Sequence, residues 1–307
     1  MTTSGAPAAE AARLLMPDYL VDAVASPALG YRDGPSQCPL DAVEFYVPPY
    51  LGSPDALTVL DHMPRLRVVQ LLTAGFEDAL AAVPAGVRLC NAAGVHDAST
   101  AELAVGLMIA SLRGIDAFAR AMPTGRWLPD RHRALADSSV LVIGAGGVGR
   151  AIAARTGAFE ARVTLVGRTA RPGVRGVDEL PRLLGAADVV VLAVPLDDST
   201  RGMVDAAFLR RLPDAALVVN VARGAVVDTE ALLAETASGR LCAALDVTDP
   251  EPLPPEHGLW QVPNVLITPH VGGNSSAFLP RARALVAQQV RRFVTGEEPA
   301  NTVGWGR

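Results

Sequence analysis

The chain of 307 residues contains no lysine, few aromatic residues (5%) and only three cysteines. All 27 basic residues are therefore arginines, and 32 acidic residues give a formal net charge of −5. The arginines are scattered and form no basic stripe interleaved with aromatic residues, which argues against nucleic-acid binding. Because Cys38, Cys90 and Cys242 lack the spacing of a metal site, we expect no bound metal and buried thiols in a reducing cytoplasm.

Long hydrophobic runs are absent as well. The longest one outside the expected strands, Leu103–Leu112, is far too short to span a membrane. Residues 1–10 are small and polar and lack the basic start and apolar centre of a signal peptide. We therefore expect a disordered N-terminus and a cytoplasmic protein without a membrane partner.

Half of the residues are hydrophobic, and the length suffices for about two domains. Continuous apolar runs without polar alternation are typical of parallel strands that are covered on both faces. In the second half such runs alternate with helical segments, which predicts a doubly wound parallel sheet. The runs are 140–143, 163–166, 189–194, 217–221, 242–247 and 265–268. Shorter runs at 14–16, 43–47, 68–72 and 87–91 predict a smaller α/β domain.

A buried helix is expected between these two regions. Ser99 or Thr100 could cap it, and the apolar residues that follow predict that it continues to about Met122.

A glycine-rich turn, Gly144-x-Gly146-x-x-Gly149, follows the apolar run at 140–143 and precedes an alanine-rich helical segment. Gly144 permits a tight turn, Gly146 allows the backbone to approach a pyrophosphate, and Gly149 lets the helix lie close to the strand. The pyrophosphate would then meet the N-terminus of the helix, which favours an anion. Because the motif stands between a strand and a helix, it predicts a dinucleotide-binding Rossmann domain.

The end of the next strand indicates which dinucleotide is bound. Sites for NAD usually have an acidic residue there, whereas this chain has Gly167, Arg168 and Thr169. An arginine can grip the 2′-phosphate of NADP(H), and no carboxylate at that position would repel it. The pattern therefore predicts a preference for NADP(H), with NAD(H) as a weaker alternative, although most arginines are simply solvated.

Polar residues follow three later strands. They are Arg223, Asp246 and His270, and Glu251 lies in the loop after Asp246. Ligands of parallel sheets bind beyond the carboxyl ends of the strands. An arginine, a histidine and a carboxylate at one edge match the needs of hydride transfer to a 2-keto acid. The arginine would bind the substrate and polarise its ketone, the histidine would deliver the proton, and the carboxylate would stabilise the protonated ring.

Several motifs, taken together, resemble the D-isomer-specific 2-hydroxyacid dehydrogenase family, and the resemblance runs from about residue 91 to 273. They are the glycine turn, Asn220–Gly224, Asp246–Val247, Glu251–Pro254, Leu259–Trp260, Asn264–Val265 and Thr268–His270. The resemblance implies Arg223 as the substrate-binding cation, His270 as the acid/base and Glu251 as its partner.

The resemblance implies further ligand contacts. Ala74 and Gly75 would donate backbone hydrogen bonds to the substrate carboxylate, and Thr100, Pro195 and Asp246 would lie near the nicotinamide. The cofactor is also expected to contact Gly147, Val148, Thr169, Thr200, Val221, Ala222 and Gly272.

The implied architecture is a Rossmann domain, residues 93–272, inserted in a smaller flavodoxin-like α/β substrate domain. Residues 1–92 and 273–307 would form the two parts of that smaller domain. The family also implies a homodimer that associates through its nucleotide-binding domains.

The leading hypothesis is a reductase of small 2-keto acids such as glyoxylate or hydroxypyruvate. The lack of an acid at the second strand is shared with the NADP-using glyoxylate/hydroxypyruvate reductases of this family. One alternative is a nucleotide-sensing regulatory protein, and another is a formate- or phosphite-type dehydrogenase on the same fold.

Overall fold

The computed structural model describes residues 13–32, 34–51 and 54–306. The disorder expected for residues 1–10 concerns a segment outside these ranges. Within them, no helix combines the length and apolar character needed to cross a membrane.

The strands of the described ranges are, in chain order, Leu14–Pro17 (β1), Leu29–Tyr31 (β2), Phe45–Tyr46 (β3), Val68–Gln70 (β4), Arg88–Cys90 (β5), Ser139–Ile143 (β6), Arg162–Gly167 (β7), Arg175–Gly176 (β8), Val189–Leu192 (β9), Leu217–Asn220 (β10), Cys242–Leu245 (β11), Val265–Ile267 (β12) and Thr302–Trp305 (β13). The α-helices are Asp18–Val21 (α1), Glu77–Leu80 (α2), Asp97–Arg113 (α3), Ile115–Ala121 (α4), Gly147–Gly157 (α5), Leu180–Leu183 (α6), Ala206–Leu209 (α7), Thr229–Ala237 (α8) and Phe278–Thr295 (α9). Short 3-10 helices occupy Pro35–Gln37, Pro54–His62, Met122–Thr124, Val177–Glu179, Leu184–Ala186, Gly224–Val226 and Gly258–Gln261.

The chain forms two compact units, one spanning His96–Ser276 and the other ending at Val95 and resuming at Ala277. The domain boundaries expected from the sequence were 92/93 and 272/273. Those of the two compact units lie a few residues later in the chain.

The His96–Ser276 unit contains a seven-stranded parallel sheet in the order β12-β11-β10-β9-β6-β7-β8. Successive side chains of a strand point to opposite faces. In β6, Val140 and Val142 enter a core cluster with α3 and α5, whereas Leu141 and Ile143 enter a second cluster with α6, α7 and α8. Both faces are therefore buried, which explains why the strands appear in the sequence as continuous apolar runs.

The other unit contains a six-stranded sheet in the order β13-β5-β4-β3-β1-β2. Its strands are parallel except β13, which pairs antiparallel with β5. Helix α9 packs its apolar face on this sheet through residues such as Val286 and Phe293. Buried Gln289 donates to the side chain of Gln70 on β4 (2.6 Å) and to the carbonyl of Ala300 (2.7 Å), which ties the C-terminal segment to the sheet.

The expected fold class, an α/β Rossmann protein with a parallel sheet and a second α/β unit, is confirmed. The helix expected from Ser99 or Thr100 to Met122 is placed wrongly. Helix α3 begins at Asp97 and ends at Arg113, where Gly114 follows with a left-handed φ of 66°, and a separate helix α4 begins at Ile115. Glycine adopts this conformation without the steric cost of a side chain, and it commonly ends helices.

Candidate active site

The glycine turn after β6 is shaped so that side chains cannot be accommodated at two positions. Gly144 has φ +119°, and a Cβ there would overlap the carbonyl of Ala193. A Cβ on Gly149 would overlap the carbonyl oxygen of Gly144, because the helix lies directly against the turn. These features agree with the tight turn predicted at Gly144 and the close-lying helix predicted at Gly149.

Helix α5 begins immediately after the turn, with Gly147, Val148 and Gly149 in its first residues. A Cβ on Gly147 would overlap the carboxylate of Asp97, which lies against this end of the helix. The unpaired N–H groups and dipole of a helix N-terminus attract anions. The turn and helix thus provide a cradle for a pyrophosphate.

A cavity of about 850 Å³ opens beside the turn. It is lined by the turn, by the end of β7 and by the loop after β9: Ile143, Gly144, Ala145, Gly146, Val166, Gly167, Arg168, Arg171, Val177, Ala193, Val194, Pro195, Asp197, Asp198, Ser199, Thr200 and Met203. Its size suits a nucleotide, because small-ligand sites usually measure about 300–1,000 Å³. The expected contacts Gly144, Gly146, Arg168, Pro195 and Thr200 are all brought together here.

Two arginines lie at the β7 side of this cavity. Arg171 donates to the carbonyl of Ala145 in the glycine turn and to that of Thr169, both at 3.3 Å. Arg168 has a largely exposed side chain (77%) and donates to the carboxylate of Asp197 at 2.8 Å. The cavity is therefore lined by two arginines in the region where an NAD site has an acid. It is also lined by Asp197, whose carboxylate the sequence analysis did not predict there.

The loop after β9 holds that carboxylate in a fixed place. The Thr200 hydroxyl accepts from the Asp197 amide (2.8 Å) and donates to the Pro195 carbonyl (2.7 Å). The hydroxyl and amide of Ser199 both donate to Asp197 Oδ1, at 2.5 and 2.9 Å. These two bonds, with a smaller contribution from Arg168, hold the pKa of the Asp197 carboxyl below its usual range. The carboxylate is therefore charged at neutral pH.

The second group of expected residues lies at the carboxyl ends of β10, β11 and β12, three adjacent strands of the sheet. Arg223 follows β10, Asp246 follows β11 and His270 follows β12. Because adjacent strands lie about 4.8 Å apart, this order places the arginine and the histidine roughly 10 Å apart along the edge.

Asn220 fixes the backbone that carries Arg223. Its side chain accepts from the Ala222 amide and donates to the Arg223 carbonyl, both at 3.0 Å. The Arg223 guanidinium donates to the carbonyl of Ala222 at 2.7 Å. Val221 and Ala222 are buried, whereas Arg223 is partly exposed.

Asp246 organises the loop that carries His270. Its Oδ1 accepts from the Thr268 hydroxyl (2.6 Å) and the Val271 amide (2.9 Å), and its Oδ2 accepts from the Gly272 amide (2.8 Å). A Cβ on Gly272 would lie 2.9 Å from Oδ2 and 3.3 Å from Thr100 Cγ2. Thr100 and Asp246, which were expected near the nicotinamide, thus meet at one place with Gly272, another expected cofactor contact.

His270 and Glu251 form the closest polar pair of this edge. Nδ1 of the ring lies 2.5 Å from Oε1 of the carboxylate, and both side chains are close to half exposed. The backbone of His270 has φ +52°, a left-handed conformation, and its amide donates to the Asp246 carbonyl at 2.8 Å. A carboxylate on Nδ1 favours a proton on that nitrogen and leaves Nε2 as the atom that can exchange a proton.

The expected substrate loop lies in the other unit, after β4. The carbonyls of Thr73 and Ala74 accept from the Ala92 amide (2.8 Å) and the Asn91 side chain (2.6 Å). In a trans peptide the N–H points away from the carbonyl of the same unit. The amides of Ala74 and Gly75 therefore point away from residues 91 and 92, as donors for a ligand would have to.

Two further features of the described residues concern metal binding and a second histidine. Across the described ranges, no group of three or more His, Cys, Asp or Glu side chains is arranged to hold a metal ion. His96 is buried at the start of α3, where its carbonyl accepts from the Thr100 amide.

A dinucleotide cradle, and a histidine–carboxylate pair on the sheet edge that also carries an arginine, indicate a nicotinamide-dependent oxidoreductase. Residues 105–272 match the family "D-isomer specific 2-hydroxyacid dehydrogenase, NAD binding domain". The glyoxylate reductase of Korarchaeum cryptofilum is 31% identical over 267 residues, which cover 82% of this chain and 80% of that enzyme. The chain therefore belongs to the D-isomer-specific 2-hydroxyacid dehydrogenase family.

Solved structures agree with this assignment. A D-isomer specific 2-hydroxyacid dehydrogenase from Xanthobacter autotrophicus Py2, in complex with NADPH and MES, superposes with a TM-score of 0.81 at 29% identity, covering 96% of this chain and 98% of that one. The NADPH-dependent glyoxylate/hydroxypyruvate reductase of Sinorhizobium meliloti, in complex with NADP and sulfate, also gives 0.81, at 25% identity and with 95% and 98% covered.

Proposed function

We propose that the protein is an NADP(H)-dependent reductase of small 2-keto acids, with glyoxylate and hydroxypyruvate as the first candidates. The observation that carries the proposal is the contact between His270 Nδ1 and Glu251 Oε1, at the edge where Arg223 also lies. Two of the similar proteins are glyoxylate-reducing enzymes by name, one of them NADPH-dependent, which supports the substrate class and the coenzyme.

The residues of the chain divide the work by their chemistry. The bound nicotinamide supplies or accepts the hydride. Arg223 binds the substrate and polarises its carbonyl, and His270 provides the proton from Nε2 while Glu251 holds the ring at Nδ1.

A turnover screen tests this proposal directly. Glyoxylate, hydroxypyruvate, pyruvate and phenylpyruvate are each supplied with NADPH and with NADH, and oxidation of the coenzyme is followed by absorbance. We expect reduction of glyoxylate or hydroxypyruvate with NADPH as the more efficient coenzyme. Failure to reduce any of the four acids with either coenzyme would contradict the proposal.

The coenzyme preference has a separate test in Arg168. Arg168→Ala removes one of the two cations at the cavity, so kcat/KM with NADPH should fall about tenfold or more, while that with NADH changes little. We expect a loss close to tenfold and not much larger, because the Arg168 side chain is largely exposed and Arg171 remains at the cavity. The measurement is kcat/KM for both coenzymes at a fixed keto-acid concentration.

Arg162→Ala is the matched control for this test. Arg162 begins β7, the strand that Arg168 follows, so the control removes the same charge at the opposite end of that strand. Equal losses in the two variants would show that overall charge, and not a contact at the cavity, favours NADPH.

We further propose that the protein is a homodimer that associates through its nucleotide-binding unit. Three large apolar side chains close together in the sequence are exposed there: Ile115 (48%), Met122 (77%) and Trp127 (89%). Exposed apolar clusters commonly mark protein contacts.

Light scattering tests this proposal and should give twice the chain mass for the parent protein. The double variant Met122→Ser with Trp127→Ser should give the monomer mass. Phe159→Ser, which changes another exposed apolar residue, should leave the dimer intact. A monomeric parent protein would refute the proposal.

A further inference from the structure

We propose that Asp197 restrains the affinity of the protein for NADP(H) by neutralising Arg168, so that the 2′-phosphate must displace a carboxylate to reach its cation. The inference rests on the proposed function, because it presumes that the cavity beside the glycine turn receives the coenzyme. It adds a residue that sets the degree of preference for one coenzyme over the other.

The geometry of the pair carries this inference. Arg168 and Asp197 follow different strands, β7 and β9, and both line the same cavity. The guanidinium Nη2 lies 2.8 Å from Asp197 Oδ2, the distance of a charge-assisted hydrogen bond. Arg168, the residue predicted to bind the 2′-phosphate, is therefore already paired with an anion.

The carboxylate is held independently of the arginine. The two bonds from Ser199 engage Oδ1, whereas Arg168 uses Oδ2. Because the Ser199 hydroxyl and amide also keep the pKa of Asp197 low, the carboxylate stays charged whether or not the guanidinium leaves it. Displacement by a phosphate therefore leaves a fixed negative charge beside the incoming one.

The charges predict the direction of the effect. A phosphate monoester carries about −1.5 to −2 at neutral pH, so it is attracted by a free guanidinium but repelled by the neighbouring carboxylate. The ribose hydroxyl of NAD(H) carries no charge and gains nothing from breaking the pair. Asp197 should thus weaken the binding of NADP(H) selectively, whereas an uncharged residue there should leave the binding of NAD(H) nearly unchanged.

Asp197→Asn tests the inference with little change of shape, since the amide oxygen can still accept from Ser199. Dissociation constants for NADPH and NADH are measured by coenzyme fluorescence on the full-length protein. We expect NADPH to bind about two- to fivefold more tightly and NADH to bind as before, the modest size reflecting the exposure of the ion pair. Adenosine 2′,5′-bisphosphate should gain affinity in the same proportion, whereas 5′-AMP should not.

Two comparisons separate the ion pair from the loss of charge in general. Asp198→Asn removes the same charge from the next residue, which also lines the cavity, and should tighten NADPH binding less. In an Arg168→Ala background, Asp197→Asn should have little effect, because the cation that it releases is gone.

Unchanged or weaker NADPH binding in Asp197→Asn, in a variant that melts like the parent, would overturn the inference. Weaker binding would mean that Asp197 instead holds Arg168 ready for the phosphate. A parent protein that binds neither coenzyme would refute the proposed function itself. A parent that binds NADH more tightly would refute the proposed preference but not the inference, which still requires tighter NADPH binding in Asp197→Asn.

Discussion

His270→Ala is expected to lower kcat for keto-acid reduction about 10²–10⁴-fold, the usual contribution of general acid–base catalysis. Glu251 Oε1 lies 2.5 Å from Nδ1 of the ring and holds the ring in place, which leaves Nε2 to provide the proton. Affinity for NADPH should stay nearly constant, because the cradle of the cofactor lies at the end of β6, which three other strands separate from β12 in the sheet. Steady-state kinetics and coenzyme fluorescence on the same preparation measure the two quantities.

The pH dependence distinguishes acid–base chemistry from a structural role of the same residue. Reduction needs the protonated ring and oxidation needs the neutral one, so the reductive rate should fall and the oxidative rate should rise as His270 loses its proton. Glu251→Gln keeps the shape but removes the charge that holds the ring at Nδ1, so the reductive rate should fall.

Near-parent reduction by His270→Ala with an unchanged pH profile would assign the acid to another residue. His96 would then be the next candidate by residue type. Its burial, with only 6% of the residue exposed, makes it a poor proton donor in the described conformation. In that case Glu251→Gln should also leave the reductive rate near that of the parent.

The fold could be predicted because its elements depend on local patterns. Strands covered on both faces must be apolar throughout, so β9, β10 and β11 stand out as valine-, leucine- and alanine-rich runs. The antiparallel strand β13 was missed, since its sequence Thr302–Trp305 is short and only partly buried. Its place is fixed by pairing with β5, more than 200 residues earlier, which no local pattern records.

The candidate site could be predicted to the extent that each residue follows a strand. Parallel strands bring their carboxyl ends to one edge, so Arg223, Asp246 and His270 were placed together by topology alone. Asp197 was not found, because an aspartate in a polar loop is ordinarily solvated. Only the adjacency of β9 to β6, and of β6 to β7, brings its loop to Arg168.

Arg223→Ala should damage substrate binding and turnover together. An arginine that polarises the carbonyl stabilises negative charge on its oxygen in the transition state, and the loss of one such donor commonly costs about 10²–10³ in kcat. The same side chain binds the keto acid in the ground state, so KM should rise as well and kcat/KM should fall further than kcat.

Two variants make the test of Arg223 selective. Arg223→Lys keeps the charge but not the planar fork, so it should recover only part of the loss. Arg182→Ala removes an exposed arginine of α6 and should leave both kinetic constants near those of the parent. NADPH affinity serves as the check on folding, since Arg223 is absent from the lining of the cofactor cavity. A variant Arg223→Ala that lost NADPH affinity but kept KM for the keto acid would place the arginine at the coenzyme, and the substrate cation would have to be sought elsewhere.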